Sequence, residues 1–470
     1  MIALTIAQLA RIVSGRPVLV GSDTLETVVS GAVDTDSRNI GPGDVFVAKP
    51  GEATDGHLFV GGAADAGAAL ALVERHIDAP ISQVVVGDVV DAIAALARHD
   101  VAAVRARGDL RIAGFPGANG LTTTKNLLAR ILQDEGDTVA PRASFNNEVG
   151  APLTMLRVDD ATRFLVSEFG ASAPGEIARL AGLVEPDLGI VLMVGMAHAG
   201  GFGGIEATFH AKSELVRSLR PGGVAVLNAD DPRVSAMAPI AEEVGASVRW
   251  FGRGERAEVR AVDVEVTATG TVAAIVVDGE ARTLRLRVLG EHHVMNALAA
   301  LAAATSFGVD LDAAIARLEA VELAERWRMQ PLGGDRVRII NDAYNASPDS
   351  MAAALRTLAQ ITARDERMVA VLGAMSELGE YAGEEHDRVG LLAVRLGVQR
   401  IVVVGDDARR LFLSAVGEGS WDGEAVFFST ADEAYDYLVT ELRDGDRVLV
   451  KSSNSAGLRH LGDRLGEAFS

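Results

Sequence analysis

Residues Arg111 to Leu132, RIAGFPGANGLTTTKNLLARIL, constrain the fold more than any other stretch. An apolar strand, with Leu110, Ile112 and Phe115 among its residues, runs into a glycine-rich turn. In the helix that follows, Leu127, Leu128, Ile131 and Leu132 share one face at helical spacing. Strand, Gly-Ala-Asn-Gly and helix is the layout of a phosphate-binding loop. Main-chain N–H groups of such a turn, with the positive end of its helix, hold an anion without any side chain. Gly117 and Gly120 permit the close approach, Thr122 stands where a Mg²⁺ ligand is needed, and Thr123 lies at the helix start. The same layout also occurs as plain packing, so the loop alone leaves phosphate binding open. Three residues oppose it: Leu121 stands where such loops carry a lysine, Ala118 lacks a hydroxyl and Pro116 lacks an N–H. Lys125 lies one helical turn beyond Leu121, on the same face but farther from the phosphates.

From residue 109 onward strands alternate with helices, the pattern of an α/β fold with parallel sheets. Strands are read at Arg111–Phe115, Gly189–Val194 and Val224–Leu227, then a β-rich patch at Glu258–Val288 and a helix at Val294–Thr305. The alternation restarts after 323, with strands at Val337–Ile340, Met368–Leu372, Ile401–Val404 and Val448–Val450, as a smaller Rossmann-like unit. Ahead of both lies a mixed segment with a strand at Asp44–Val47, a turn at Lys49–Gly51 and an Ala-rich helix at Asp91–Arg107 that stops at Gly108. The 470 residues thus divide as 1–108, 109–322 and 323–470.

Acidic residues outnumber basic ones 65 to 44, a formal net charge of −21. That surface repels nucleic acid and anionic membranes, so phosphate has to be held by local dipoles and a few placed cations. The absence of cysteine removes disulfides, thiolate catalysis and cysteine metal sites. No apolar run reaches the ~20 residues a spanning helix needs, and MIALTIAQLARIVSG has no basic segment ahead of an apolar run. A cytoplasmic protein with no nucleic-acid partner and no membrane insertion is expected.

Other segments carry candidate chemistry. SEFGAS ends a strand and puts Glu168 at a sheet edge; in VGMAHAGGFGGIEATFHAKSEL, His198 sits in a glycine-rich loop and Lys212 on the next helix. A carboxylate and an imidazole at neighbouring strand ends suit Mg²⁺ beside a nucleotide, although a capping Glu and a loop His explain the spacing as well. In GEHHVMNALAALAAA, Asn296 either reads a base edge or faces solvent. Arg328 in ERWRMQ is a phosphate-binding cation or a surface charge. NDAYNASPDSM crowds Asp342, Tyr344, Asn345, Ser347 and Asp349 into a loop after a strand, with Pro348 opening a helix at its tolerated first turn. So polar a loop at a strand end is either a ligand site or an elaborate N-cap. VDTDSRNIGPGD brings Asp36, Ser37 and Arg38 to a turn, and Arg38 suits an anionic ligand.

Together these segments resemble the ATP-dependent Mur ligases of peptidoglycan synthesis, in that family's order over nearly the whole chain. The specific matches are NNEVGAPLT and DAYNASPDSM, joined by DTDSR, GDVFVAKPGEATDGH, SEFGAS, LGAMSELGEYAGEEHDRVG and VLVKSSNSAGL. The resemblance implies three domains: an N-terminal mixed α/β domain for the UDP-sugar, a central P-loop ATPase-like parallel sheet and a C-terminal Rossmann-like domain. It implies use of ATP and Mg²⁺ by a monomer whose substrates are UDP-MurNAc-tripeptide and D-Ala-D-Ala. The peptide carboxylate takes the γ-phosphate of ATP to give an acyl phosphate, and the amine of D-Ala-D-Ala then expels phosphate.

By motif, the resemblance assigns Gly117, Ala118, Asn119, Gly120, Leu121, Thr122 and Thr123 to the ATP phosphates, Asn296 to adenine, Arg328 to phosphate and Asp342 to the ribose. Ser37 and Arg38 fall to the uridine nucleotide, Asn146 and Asn147 to the UDP-sugar, and Tyr344 and Asn345 to the reacting groups. Thr122, Glu168 and His198 hold magnesium, and Lys212 matches a lysine that becomes a carbamate supporting a second metal. The family's loop reads Thr-Gly-Ser-Asn-Gly-Lys-Thr, against Pro116-Gly117-Ala118-Asn119-Gly120-Leu121-Thr122 in this chain. Met193 and His293 depart from it more mildly. Weak ATP turnover is therefore expected. The rival expectations are a UDP-sugar-binding homologue without catalysis and an amide ligase with another acceptor, such as a folylpolyglutamate synthase.

Overall fold

The computed structural model of the chain describes residues 1–51, 54–117, 120–141, 145–195, 204–267, 269–321, 326–419 and 424–470. Three main sheets succeed one another along it. The first has five strands in the order Arg16–Val18, Gln83–Val85, Leu70–Val73, Val45–Val47, Val33–Asp34, parallel except for the first pair. Leu70–Val73 and Val45–Val47 are buried at every residue, as strands covered on both faces must be. The expected strand from Asp44 begins one residue later because the Asp44 carboxylate accepts the N–H groups of Ala32 and Gly41 and closes the preceding turn. The Ala-rich helix runs Val89–Arg107. Asp88 caps it by accepting from Val90 and Asp91 at 2.7 and 2.9 Å, and it stops at Gly108. In its last turn Arg105 donates to the Val184 carbonyl at 2.7 Å and pairs with Asp187, fastening this sheet's helix to the next unit.

The second sheet has nine strands. Seven are parallel, in the order Asp137–Val139, β2 (Thr162–Phe169), β1 (Arg111–Pro116), β3 (Leu188–Val191), Val224–Asn228, Ser247–Gly252, Val259–Thr267. Gly270–Val277 and Glu280–Leu286 continue it antiparallel, so the β-rich patch of the sequence holds the last parallel strand and the sheet's two antiparallel edge strands. β3 is shorter than the expected Gly189–Val194. Side chains take its next backbone groups: Asn228 bonds the Leu192 carbonyl, Lys212 that of Met193, and Asp231 the N–H of Val194.

Helix α1 (Leu121–Gln133) follows β1, α2 (Ile205–Arg217) follows β3, α3 (Glu291–Ser306) follows the antiparallel edge, and the helix Leu311–Glu319 packs last into the core that α1 and α3 share. Leu127, Leu128 and Ile131 of α1 share one core with Val294, Ala297, Leu298 and Leu301 of α3. Each fully buried leucine there contributes about 1.5–3 kcal/mol, and the alanines let the two helices approach.

The third sheet is ordered Gln330–Gly333, β4 (Val337–Asn341), β5 (Asp446–Lys451), Arg367–Leu372, Arg400–Val404, Ala425–Phe428, antiparallel only at its first pair. Helix α4 (Pro348–Ile361) begins with Pro348 at its first position and Ser347 as N-cap, in a reciprocal pair with Ser350. Helix α5 (Leu458–Ala468) ends the fold. No helix among the described residues is long and apolar enough to cross a membrane. The C-terminal ends of β1, β2 and β4 open on one cavity, where open α/β sheets bind ligands.

Candidate active site

Gly120 makes the loop possible. Its φ of +80° lies in the left-handed region, and a Cβ there would stand 2.5 Å from Asn296 Oδ1. Gly120 is also the N-cap of α1 and, lacking a side chain, caps none of the helix amides. Those amides therefore remain anion donors at the cavity wall formed by Gly117, Gly120, Leu121, Thr122 and Thr123. Ala118 and Asn119, the other two loop residues, and His198 lie outside the described residues. Leu121 is 5% exposed and belongs to the core that joins α1 to α3, so its side chain packs as an ordinary helix leucine.

Register places the candidate carboxylate. β2 pairs with β1 so that Glu168 stands opposite Phe115, directly beside the loop strand. Glu168 is buried, with Asn146 Nδ2 donating to Oε1 at 2.8 Å and Lys125 Nζ to Oε2 at 3.3 Å. Lys125 thus points into the same wall, 1% exposed, as the counter-charge of Glu168. Asn146 lines the cavity through this contact, whereas Asn147 accepts the N–H groups of Val149 and Gly150 and starts the helix Gly150–Met155.

Lys212, on α2, is 5% exposed and donates to the Met193 carbonyl at 2.6 Å. Burial lowers its pKa from 10.5 to about 8, against the opposing pull of Asp231 and Asp349. Below about pH 8 the folded chain carries a buried ammonium, at a cost in stability. Between about pH 8 and 10.5 the unfolded chain keeps a proton that the folded chain has shed, so stability rises with pH there, by about 3 kcal/mol at 1.36 kcal/mol per pH unit. Urea titrations near pH 7 and pH 10 should show this rise in the native chain and lose it in Lys212→Met. An identical slope in both chains contradicts the burial account.

The third sheet supplies the opposite wall. Arg328 donates from Nη2 to Thr122 Oγ1 at 3.2 Å, and its guanidinium lies 4.3 Å from the centroid of the Tyr344 ring. Asp342 accepts the Met329 N–H and pairs with Lys451, a 3% exposed lysine that also donates to the Asn345 carbonyl. Asn345 spends its own Oδ1 on the N–H of Ala346. Asn296 is 6% exposed, which excludes the solvent-facing alternative. Next to it, His293 has both ring nitrogens without a hydrogen-bond partner among the described residues. Burial, with His292 and Arg328 nearby, holds it neutral. The resulting cavity of about 720 Å³ is lined by the loop, Glu168, Asn296, Arg328, Asp342 and Tyr344, together with the acidic pair Asp230 and Asp231. Ser37 and Arg38 do not reach it. They sit in a short 3-10 turn of the first unit, where Arg38, 87% exposed, forks onto Asp36.

This chain matches the Mur ligase family along its length: the family's catalytic-domain model covers residues 31–108, the Mur ligase middle domain 116–304 and the Mur ligase, glutamate ligase domain 327–454. The chain belongs to the Mur ligase family. This Mur ligase is 41% identical to the UDP-N-acetylmuramoyl-tripeptide–D-alanyl-D-alanine ligase of Mycobacterium tuberculosis, over 99% of this chain and 98% of the relative. Among solved structures, MurF from Acinetobacter baumannii superposes with a TM-score of 0.88 at 31% identity, covering 99% of each chain. The Thermotoga maritima MurF ligase, crystallised in complex with ADP, gives 0.81 at 25% identity over 94% of this chain and 98% of that one.

The residues fit a nucleotide with its metal. Thr122 and Glu168 are hard oxygen donors on one cavity, and Mg²⁺ typically takes one or two such protein ligands together with phosphate oxygens. Lys451 is a functional candidate that spacing does not single out, and Lys125, which spacing places one turn beyond Leu121, turns out to be the partner of Glu168. Each is a buried lysine paired to a cavity carboxylate, a pairing set by sheet register.

Proposed function

We propose that the chain is an ATP-dependent amide ligase of cytoplasmic peptidoglycan-precursor synthesis that joins D-Ala-D-Ala to UDP-MurNAc-tripeptide, and that it works as a monomer. One observation carries the reading: an arginine of the third unit reaches the threonine of the glycine loop in the second, so both units contribute to one cavity, large enough for a nucleotide. Residues 1–108 would bind the UDP-sugar through Ser37 and Arg38, residues 109–322 the ATP, and residues 323–470 would close on both.

In the reaction, a carboxylate oxygen of the tripeptide attacks the γ-phosphorus of ATP and ADP leaves, giving an acyl phosphate. The amine of D-Ala-D-Ala then attacks the acyl carbon, loses a proton, and phosphate departs with its bonding electrons. The protein's part is positioning and charge compensation. Loop amides and Arg328 cradle the terminal phosphates, Asn296 and His293 present polar groups to the base, and Asp342 faces the ribose. Tyr344 and Asn345 flank the reacting groups. Thr122, Glu168 and His198 would hold Mg²⁺, which neutralises phosphate charge. Lys212 would support a second ion after taking up CO₂, a reaction of the neutral amine that its lowered pKa favours.

Phosphate release tests the reading. With ATP, Mg²⁺, UDP-MurNAc-tripeptide and D-Ala-D-Ala together, release should be slow but measurable, and it should fall to background when any one substrate is omitted. Release that ignores D-Ala-D-Ala points to another acceptor. ATP binding with no release in any mixture points to the non-catalytic homologue.

A further inference from the structure

The backbone that carries Arg328 has an uncommon shape. Its neighbours Trp327 and Met329 both have positive φ, +64° and +47°, where Cβ of a bulky residue crowds the carbonyl that follows. Something has to hold them there. Part of the hold is main-chain: the Trp327 N–H donates to Gln330 Oε1 at 2.9 Å, the Trp327 carbonyl accepts from Tyr344 at 3.0 Å, and the Met329 N–H donates to Asp342 at 3.0 Å. The other part lies behind the cavity. The Trp327 indole donates from Nε1 to both oxygens of Asp463, at 3.1 and 2.9 Å. Asp463 sits on α5 and also accepts from Arg326 at 3.0 Å and from Asn341 Nδ2 at 3.1 Å. Asn341 is fully buried at the end of β4 and bonds the Arg459 carbonyl as well. The guanidinium groups of Arg326 and Arg459 lie 4.7 and 5.4 Å from the indole ring centroid. Neither Trp327 nor Asp463 lines the cavity.

We propose that Asp463 is a positioning residue for the nucleotide phosphates. By fixing the Trp327 indole to the end of β4 and to α5, it keeps Trp327 and Met329 in the left-handed backbone on either side of Arg328 that aims this arginine across the cavity at Thr122. This rests on the reading of Arg328 as a phosphate ligand. A purely structural anchor for α5 would use the same bonds, so the test has to ask whether Asp463 acts through Arg328.

Calorimetric titration of the full chain with Mg²⁺ and a non-hydrolysable ATP analogue reads this directly. Arg328→Ala and Asp463→Ala should each weaken binding about tenfold or more, the usual range for a lost hydrogen bond to a charged group. The double variant should bind no worse than Arg328→Ala, because contributions that run through one residue do not add. Asp463→Asn, which keeps an acceptor for the indole, should recover most of the affinity. Trp327→Phe keeps the ring and removes only the donor, so it should fall in the same direction even if Asp463→Ala does not fold. Losses that multiply in the double variant, or full affinity in Asp463→Ala and Trp327→Phe, overturn the proposal. A native chain that binds nothing, or an Arg328→Ala chain that binds normally, instead removes the nucleotide reading of the site, and this proposal with it.

Discussion

Leu121→Lys is expected to raise the rate of phosphate release about a hundred- to a thousand-fold, the size of losing or regaining one preplaced transition-state contact, ~3–4 kcal/mol. Leu121 lines the cavity yet packs 5% exposed into the core between α1 and α3. A lysine there can lay its methylenes along the same apolar wall and deliver its ammonium to the phosphates. Neighbouring cations are engaged elsewhere, Arg233 among them, 3.7 Å from Glu206. Lys125 is committed to Glu168 and Lys451 to Asp342, while Arg328 approaches from the far wall. Steady-state phosphate release from both chains, with the four components present, measures the effect. If the native chain already turns over at the ~1–100 s⁻¹ usual for enzymatic phosphoryl transfer, Leu121 impairs nothing.

Lys125→Met is expected to destabilise the central unit by ~3 kcal/mol or more, since removing one partner strands a buried charge. The residues concerned are 1% and 3% exposed, and Asn146 also donates to the carboxylate, at 2.8 Å. Adding Glu168→Gln should recover most of that loss, because a neutral pair of similar volume leaves no uncompensated charge. Urea unfolding of the native, single and double variants checks both statements. A single variant within about 0.5 kcal/mol of native, the range of ordinary surface changes, would contradict the ion-pair account.

Much of the fold was legible because its signals are local. Apolar runs such as Ile401–Val404 and Val448–Val450 announce buried parallel strands, and Gly108 and Pro348 mark a helix end and a helix start. The unread parts depend on contacts between distant segments. β3 stops short of Val194 because Asn228, Lys212 and Asp231 capture its backbone from elsewhere. The strand Ala425–Phe428 escapes notice because it is a short edge strand with only Ala425 buried.

At the candidate site, the loop, Glu168 and the polar run from Asp342 to Asp349 were visible as motifs. Their neighbours were not. Lys125 meets Glu168 only through the register of β1 and β2, and Asp463 meets Trp327 only because α5 returns over β4. The burial of Leu121 likewise depends on α3, whose first residue lies 170 positions later.

A crystal structure of the chain with Mg²⁺ and a non-hydrolysable ATP analogue tests the central claim most directly. The β- and γ-phosphates should lie on the main-chain amides between Gly117 and Thr122, with the Arg328 guanidinium closing over them and Glu168 on the metal side. Phosphates bound elsewhere, or a nucleotide that leaves this turn untouched, would contradict that claim.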